Sequence, residues 1–226
     1  MYNYGHMRFS FEHGGLSKND YKQAAKILKP YVTQLREAFK NGSYEEPESS
    51  ILLPGDEAIY SAVKSVFRGK VRHPLRFAAI VGIGGSNLGA KAVYDAILGS
   101  TKGFRDGDVR PELLFFDTLD GNFAEDAAGR ILKQSGKAED FLLIIISKSG
   151  VTKETLAEAE FLANELKKKF PEAEDRIIAV TDENSRLWES AKARGIKVLA
   201  VPKKVGGRFS VFSAAGLLPL MAAGID

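Results

Sequence analysis

Short apolar segments recur five times along this chain, and the first four are each followed by a stretch long enough to form a helix. They lie near residues 77–82, 112–117, 141–147, 176–181 and 197–201. Alternation of strands with helices is typical of α/β domains, in which helices cover both faces of a parallel sheet. We therefore expect a doubly wound α/β fold built on a five-stranded parallel sheet flanked by helices.

The third of these segments supports a sheet that is covered on both sides. Phe141–Ile146 is a continuous run of apolar residues, as expected of a strand whose two faces are both buried. Before the first strand, Ser17 can cap a helix that runs from Lys18 to about Lys40, with Pro30 expected to kink or break it. The predicted domains are an N-terminal helical segment, residues 1–50, and the α/β domain, residues 51–226.

The composition excludes several classes of protein. The chain has 226 residues, of which 44% are hydrophobic and 27% charged, enough for one large domain with a core. It has no cysteine and a net charge of +3 without an arginine-rich block. Because the positive charge is small and scattered, we expect no binding to nucleic acid. No apolar run approaches the ~18 residues of a membrane span, so we expect no membrane association. We also expect a cytoplasmic location.

The first apolar segment leads into a glycine-rich turn, residues 82–86, and then into a helix. Glycines let a backbone approach a ligand closely, and the amide groups at the start of a helix favour an anion. A phosphate group is the obvious candidate, and Gly85 and Ser86 are candidate binding residues.

Three familiar glycine motifs do not fit this turn. A dinucleotide fingerprint would need a glycine at Asn87, and a loop that binds nucleoside triphosphates would need a lysine at Ala90. A hydrolase nucleophile elbow centred on Ser86 would need a glycine at Leu88. We therefore interpret the Ser86 hydroxyl as a hydrogen-bonding group and not as a nucleophile.

The strand at 141–147 ends in a loop rich in hydroxyl groups, residues 147–152. Ser147, Ser149 and Thr152 lie at the carboxyl end of the strand, where open α/β sheets bind ligands. Gly150 permits a tight turn, and Lys148 can add a positive charge. The loop is a candidate phosphate site, although Thr152 taken alone can equally be an ordinary helix N-cap.

A third glycine motif follows the last strand, at Val205–Ser210. Two glycines precede Arg208, whose planar and permanently charged guanidinium suits an anionic ligand or a developing oxyanion. Taken alone this is a moderate signal, because arginines beside Gly-Gly turns are common on protein surfaces.

Taken in order, the three motifs at 82–89, 147–155 and 205–210 resemble the phosphoglucose isomerase family. Their order and spacing are similar to the N-terminal sugar-isomerase (SIS) subdomain of that family, especially its shorter bacterial form. The resemblance extends from about Ile51 onward. The first and third motifs are specific to the family, whereas the hydroxyl-rich loop is shared by many sugar-phosphate isomerase and regulatory domains.

The resemblance implies interconversion of glucose 6-phosphate and fructose 6-phosphate, in glycolysis and gluconeogenesis, without a metal or organic cofactor. Its phosphate loop matches Ser147, Lys148, Ser149 and Thr152, and its Gly-Ser turn matches Gly85 and Ser86. The family's arginine, which stabilises the enediolate anion, matches Arg208. The hexose 6-phosphate would be the ligand, and the complete parent protein would be a homodimer.

The same resemblance implies that part of the machinery is missing. The family's base glutamate, ring-opening histidine and C-terminal lysine lie in a second subdomain, and this sequence ends about where that subdomain would begin. We therefore expect an N-terminal portion that is inactive by itself. The alternative is a non-catalytic or regulatory module that binds a sugar phosphate without converting it.

The other candidate residues give weaker signals. Asp117 and Asp182 follow strands and could face a ligand crevice, but acidic residues are also ordinary turn formers. His6, His13 and His73 have no spacing that links them to a metal site, and we interpret them as solvent-exposed or locally bonded.

Overall fold

The computed structural model describes residues 2–4, 7–9, 14–99 and 110–225. The chain forms two compact units, Met1–Ser43 and Tyr44–Asp226. The domain boundary that we expected from the sequence lies after Ser50, and that assignment stays a prediction. His6 and His13 lie outside the described residues.

The first unit contains a short antiparallel pair of strands, β1 (Tyr2–Tyr4) and β2 (Met7–Phe9), and one long helix, α1 (Lys18–Asn41). Ser17 caps α1 as predicted, because its hydroxyl accepts a hydrogen bond from the backbone of Asp20. The helix continues through Pro30 without a break, while the kink that was the other expectation stays a prediction. This part of α1 is exposed, and water can bind the carbonyl group that proline leaves without a donor.

The second unit alternates strands and helices. After a 3-10 segment at Pro47–Gly55, its regular elements are α2 (Glu57–Lys70), β3 (Phe77–Val81), α3 (Leu88–Leu98), β4 (Glu112–Phe116), α4 (Gly121–Gln134), β5 (Phe141–Ile146), α5 (Lys153–Lys167), β6 (Ile177–Thr181), α6 (Arg186–Ala193), β7 (Lys197–Ala200) and α7 (Ala214–Ala222). The five predicted strands are confirmed, each to within one residue at either end.

The strands form one parallel sheet in the order β4-β3-β5-β6-β7. Phe77 of β3 pairs with Glu112 of β4 on one side and with Phe141 of β5 on the other. From β3 the chain first adds β4 on one side. It then crosses to the other side of β3, where β5, β6 and β7 follow in order. The predicted doubly wound α/β architecture is confirmed.

Helices cover both faces of this sheet. Alternate residues such as Ala79 and Ile145 pack with α4, α5 and α6, while their neighbours Ile80 and Ile144 pack with α2, α3 and α7. All six residues of β5 are buried, as its continuous apolar sequence predicted. Within the described residues, no helix is both long and apolar enough to span a membrane.

The start of α7 packs closely against the segment before it. A β-carbon added at Gly216 would overlap the backbone carbonyl oxygen of Val211 and lie 2.6 Å from its carbonyl carbon. Gly129, in α4, is a helical glycine with no atom within 4 Å of an added β-carbon. The two glycines therefore differ in the space available to a side chain.

We expect alanine to have opposite effects at these two glycines. Gly216→Ala should lower the free energy of unfolding by roughly 1–3 kcal/mol, because the methyl group would displace the backbone at Val211. Gly129→Ala is the matched control and should raise it by about 0.5–1 kcal/mol, since alanine has the higher helix propensity. Urea unfolding of both variants measures the difference. A Gly216→Ala protein as stable as the parent would contradict this packing.

Candidate functional site

The sheet changes direction between β3 and β5, and this is where ligands bind in open α/β folds. The two strands are neighbours, and Val81 at the end of β3 pairs with Ile145 of β5. From this edge the chain enters α3 on one face of the sheet and α5 on the other. The glycine turn (residues 82–86) and the hydroxyl loop (residues 147–152) therefore begin side by side.

Hydrogen bonds within the hydroxyl loop fix its shape. The Ser147 hydroxyl donates to the Thr152 hydroxyl at 3.1 Å, and the backbone amide of Gly150 donates to the Ser147 carbonyl. Gly150 has a left-handed φ of 68°, which a side chain would strain. Thr152 occupies the N-cap position of α5, but its side chain makes no capping hydrogen bond. Its hydroxyl therefore faces Ser147, unlike that of an ordinary N-cap threonine.

The segment after β6 supports the hydroxyl loop from one side. The Thr181 hydroxyl donates to the Lys148 carbonyl at 3.2 Å and lies 2.7 Å from the Ser185 hydroxyl. A β-carbon at Gly150 would lie only 2.5 Å from that Ser185 hydroxyl. Sequence reasoning missed Thr181, the last residue of β6, and Ser185, in the segment that follows; their hydroxyl groups at the carboxyl end of a strand were the available signal.

The Lys148 ammonium group points toward the segment that precedes the arginine motif. It donates to the Lys203 carbonyl at 2.5 Å and lies 4.0 Å from the Asp182 carboxylate. Burial raises the pKa of Asp182, and the positive charges of Lys148 and Lys203 act in the opposite direction. Lys148 thus connects the loops that follow β5, β6 and β7, while its direct contact with a phosphate stays a prediction.

The glycine turn lies tightly against the end of β5. A β-carbon at Gly82 would lie 2.9 Å from the Ile146 carbonyl oxygen, so only glycine allows these two backbone segments to approach this closely. Asn87 follows the turn and is fully buried, and its amide nitrogen donates to the Phe116 carbonyl at 3.4 Å. The sequence showed Asn87 only as a mismatch to the dinucleotide motif, whereas the structure shows that it ties the turn to β4.

Backbone contacts join the glycine turn to the arginine turn (residues 205–210). A β-carbon at Gly85 would overlap Gly207 and lie 2.7 Å from the amide nitrogen of Arg208. The Ser210 hydroxyl is shared between the carbonyl oxygens of Gly85, at 3.3 Å, and Gly207, at 2.7 Å. Two motifs that are more than one hundred residues apart in the sequence are therefore in direct contact.

Arg208 itself lies in a 3-10 turn, Gly207–Phe209, and its side chain is exposed. Within residues 14–99 and 110–225 its guanidinium makes no hydrogen bond or ion pair. An arginine that served only to bridge this turn to a carboxylate would have such a partner. The guanidinium is therefore available to an anionic ligand.

The weaker candidates have ordinary environments. Asp117, at the end of β4, forms an ion pair with Lys91 at 3.1 Å. His73 is exposed in the connection between α2 and β3. It precedes a strand, whereas the three motifs follow the carboxyl ends of strands. In the part of the chain that the structure describes, no three His, Cys, Asp or Glu residues are grouped as metal ligands would be.

Known proteins are similar to this chain in both sequence and fold. A family model described as Phosphoglucose isomerase matches residues 57–226. The glucose-6-phosphate isomerase of Staphylococcus saprophyticus is 38% identical over 150 residues, which are 65% of this chain and 32% of that protein. The glucose-6-phosphate isomerase of Lactobacillus gasseri is 33% identical over 213 residues, which are 92% of this chain and 46% of that protein.

A solved structure agrees with these sequence matches. The crystal structure of a glucose-6-phosphate isomerase from Chlamydia trachomatis is 28% identical, with a TM-score of 0.55, and the match covers 74% of this chain and 29% of that one. The chain spans between about a third and about half the length of the curated relatives it matches. With its sheet, its three motifs and the family match, this chain belongs to the phosphoglucose isomerase family.

Proposed function

We propose that this chain forms the sugar-phosphate-binding part of a glucose-6-phosphate isomerase, which interconverts glucose 6-phosphate and fructose 6-phosphate by proton transfer through an enediolate. The observation that carries the proposal is the meeting of three loops at the change of direction between β3 and β5. One loop offers hydroxyl groups, the second offers a glycine turn, and the third offers an arginine that has no partner among the described residues.

The hydroxyl loop is the proposed phosphate site. Ser149 is exposed and Thr152 is half-buried, and both stand at the N-terminus of a fifteen-residue helix, α5. Neutral hydroxyl donors and the positive end of the helix dipole both stabilise a phosphate dianion. Ser147 is buried and orients the Thr152 hydroxyl, so its role in the site is to position a neighbour.

The arginine turn is the proposed site of anion stabilisation during proton transfer. An enediolate carries its negative charge on oxygen, and a guanidinium held beside that oxygen lowers the energy of the transition state. Gly85 and Ser86 complete this side of the site, because Gly85 holds the backbone of Arg208 and Ser86 offers a hydroxyl from the adjacent turn.

The complete protein would supply the remaining chemistry. The curated relatives extend well beyond the matched segment, and we propose that the general base and the ring-opening histidine belong to that further part. We also propose that the parent is a homodimer that acts in the cytoplasm, in glycolysis and gluconeogenesis, without nucleic-acid or membrane partners. The lack of cysteine is in keeping with a reducing compartment.

Removing the two accessible hydroxyl groups of the hydroxyl loop should weaken binding of glucose 6-phosphate. Each neutral hydrogen bond contributes about 0.5–1.5 kcal/mol, so the double variant Ser149→Ala/Thr152→Ala should bind roughly 5- to 150-fold more weakly. Calorimetric titration measures the change. Ser190→Ala, at an exposed position of α6, is the control. Unchanged affinity in the double variant would place the phosphate elsewhere, and binding without turnover by the complete protein would favour the non-catalytic module.

Arg208 should affect turnover more than substrate binding in the complete protein. If its guanidinium contacts the enediolate, kcat should fall much more than the Michaelis constant rises. Arg208→Lys should be almost as damaging as Arg208→Ala, because an ammonium group cannot reproduce the planar donor geometry.

The control for this pair is Arg72→Lys, an exposed arginine in the connection between α2 and β3. The kcat and the melting temperature should be measured on the same preparations. An Arg208→Lys enzyme that keeps the parent's kcat would rule out a role for Arg208 in catalysis. A lower melting temperature with normal turnover would assign the residue to stability alone.

A further inference from the structure

The segment that follows β6 places a carboxyl group directly beside the hydroxyl loop. Asp182 is the first residue after β6, and its backbone amide donates to the Lys148 carbonyl at 2.9 Å. Its carboxylate faces the same neighbour, with Oδ2 4.0 Å from the Lys148 ammonium group. Asp182 therefore contacts both the backbone and the side chain of Lys148.

The Asp182 carboxylate is largely shielded from water and only partly satisfied. Its side chain is 19% exposed, and Oδ1 is buried with no hydrogen-bond partner among the described residues. A buried carboxyl oxygen without a donor is costly, and such a group in a native protein calls for an explanation. The ammonium groups of Lys148 and Lys203 are the positive charges that act on this carboxylate, so its contribution is its charge.

The Lys148 ammonium group is in turn the link between two of the motifs. It extends from the hydroxyl loop and donates to the Lys203 carbonyl at 2.5 Å, in the segment that leads into the arginine turn. Holding a lysine side chain in one geometry costs conformational entropy, because several bonds lose their freedom of rotation. A negative charge beside the ammonium group offsets part of this cost and favours the geometry that connects the two loops.

We propose that Asp182 is a positioning residue of the candidate site: its carboxylate keeps the Lys148 ammonium group on the Lys203 carbonyl and so holds the hydroxyl loop in place relative to the arginine turn. A hexose 6-phosphate that contacts both motifs requires them to be correctly spaced, and in this respect the proposal rests on the proposed function. Positioning and simple electrostatics predict effects of opposite sign. Loss of a nearby negative charge would by itself strengthen the binding of an anion, whereas loss of positioning weakens it.

Acetylation of the lysines in the whole chain tests the contact without any sugar phosphate. In Asp182→Asn, Lys148 should react with N-hydroxysuccinimidyl acetate roughly two- to fivefold faster than in the parent, because its side chain is no longer held. Mass spectrometry measures the rate relative to Lys133, an exposed lysine of α4. Glu183→Gln, which removes the neighbouring exposed carboxylate, is the matched control and should leave the Lys148 rate unchanged. The same Lys148 rate in folded Asp182→Asn as in the parent, or an equal increase in Glu183→Gln, would overturn the proposal.

Calorimetric titration with glucose 6-phosphate tests the consequence for the site. Asp182→Asn should bind roughly two- to fivefold more weakly than the parent, although it carries one negative charge fewer, while Glu183→Gln should bind at least as tightly as the parent. In a Lys148→Met background, Asp182→Asn should cause no further loss, because the residue through which it acts is absent.

Unchanged or tighter binding by Asp182→Asn, or a further loss in the Lys148→Met background, would refute the positioning role. A parent chain that binds no glucose 6-phosphate would instead contradict the proposed function. The acetylation rates would then still decide whether Asp182 holds Lys148 in place, so the two failures are distinguishable.

Discussion

The pairing of β3 with β5 is the constraint on which the rest of this structure depends. These strands are neighbours although β4 comes between them in the sequence. Right-handed crossovers then direct α3 and α5 to opposite faces of the sheet. The two loops that leave β3 and β5 therefore begin side by side at the carboxyl edge of the sheet, where open α/β folds bind their ligands. The position of the candidate site therefore follows from the order of the strands and not from any single residue.

Much of this arrangement could be predicted from the sequence, for identifiable reasons. Continuous apolar runs such as Phe141–Ile146 mark buried parallel strands, and glycines mark the turns that follow them. The carboxyl ends of parallel strands lie at one edge of a sheet, so the three motifs had to come near one another. The strand order itself does not follow from such patterns, because both neighbours of β3 are mostly apolar and either could pair with it.

Other features depended on solvent exposure or on contacts between distant residues and could not be predicted. Pro30 suggested a kink or a break in α1, but the helix continues through it at an exposed position, where water can replace the missing donor. Lys148 was expected to add charge to a phosphate site, and the Lys203 carbonyl that it contacts follows another strand.

The contact between Gly85 and Gly207 sets the distance between the glycine turn and the arginine turn through backbone atoms alone. The two loops meet through main-chain atoms, and the Ser210 hydroxyl donates to carbonyl groups of both, so the contact uses neither the Ser86 nor the Arg208 side chain. We therefore expect substitutions at these two positions to change what the candidate site binds while the contact between the loops is kept. Transfer of either loop alone to another scaffold, by contrast, would lose the partner that gives it its shape.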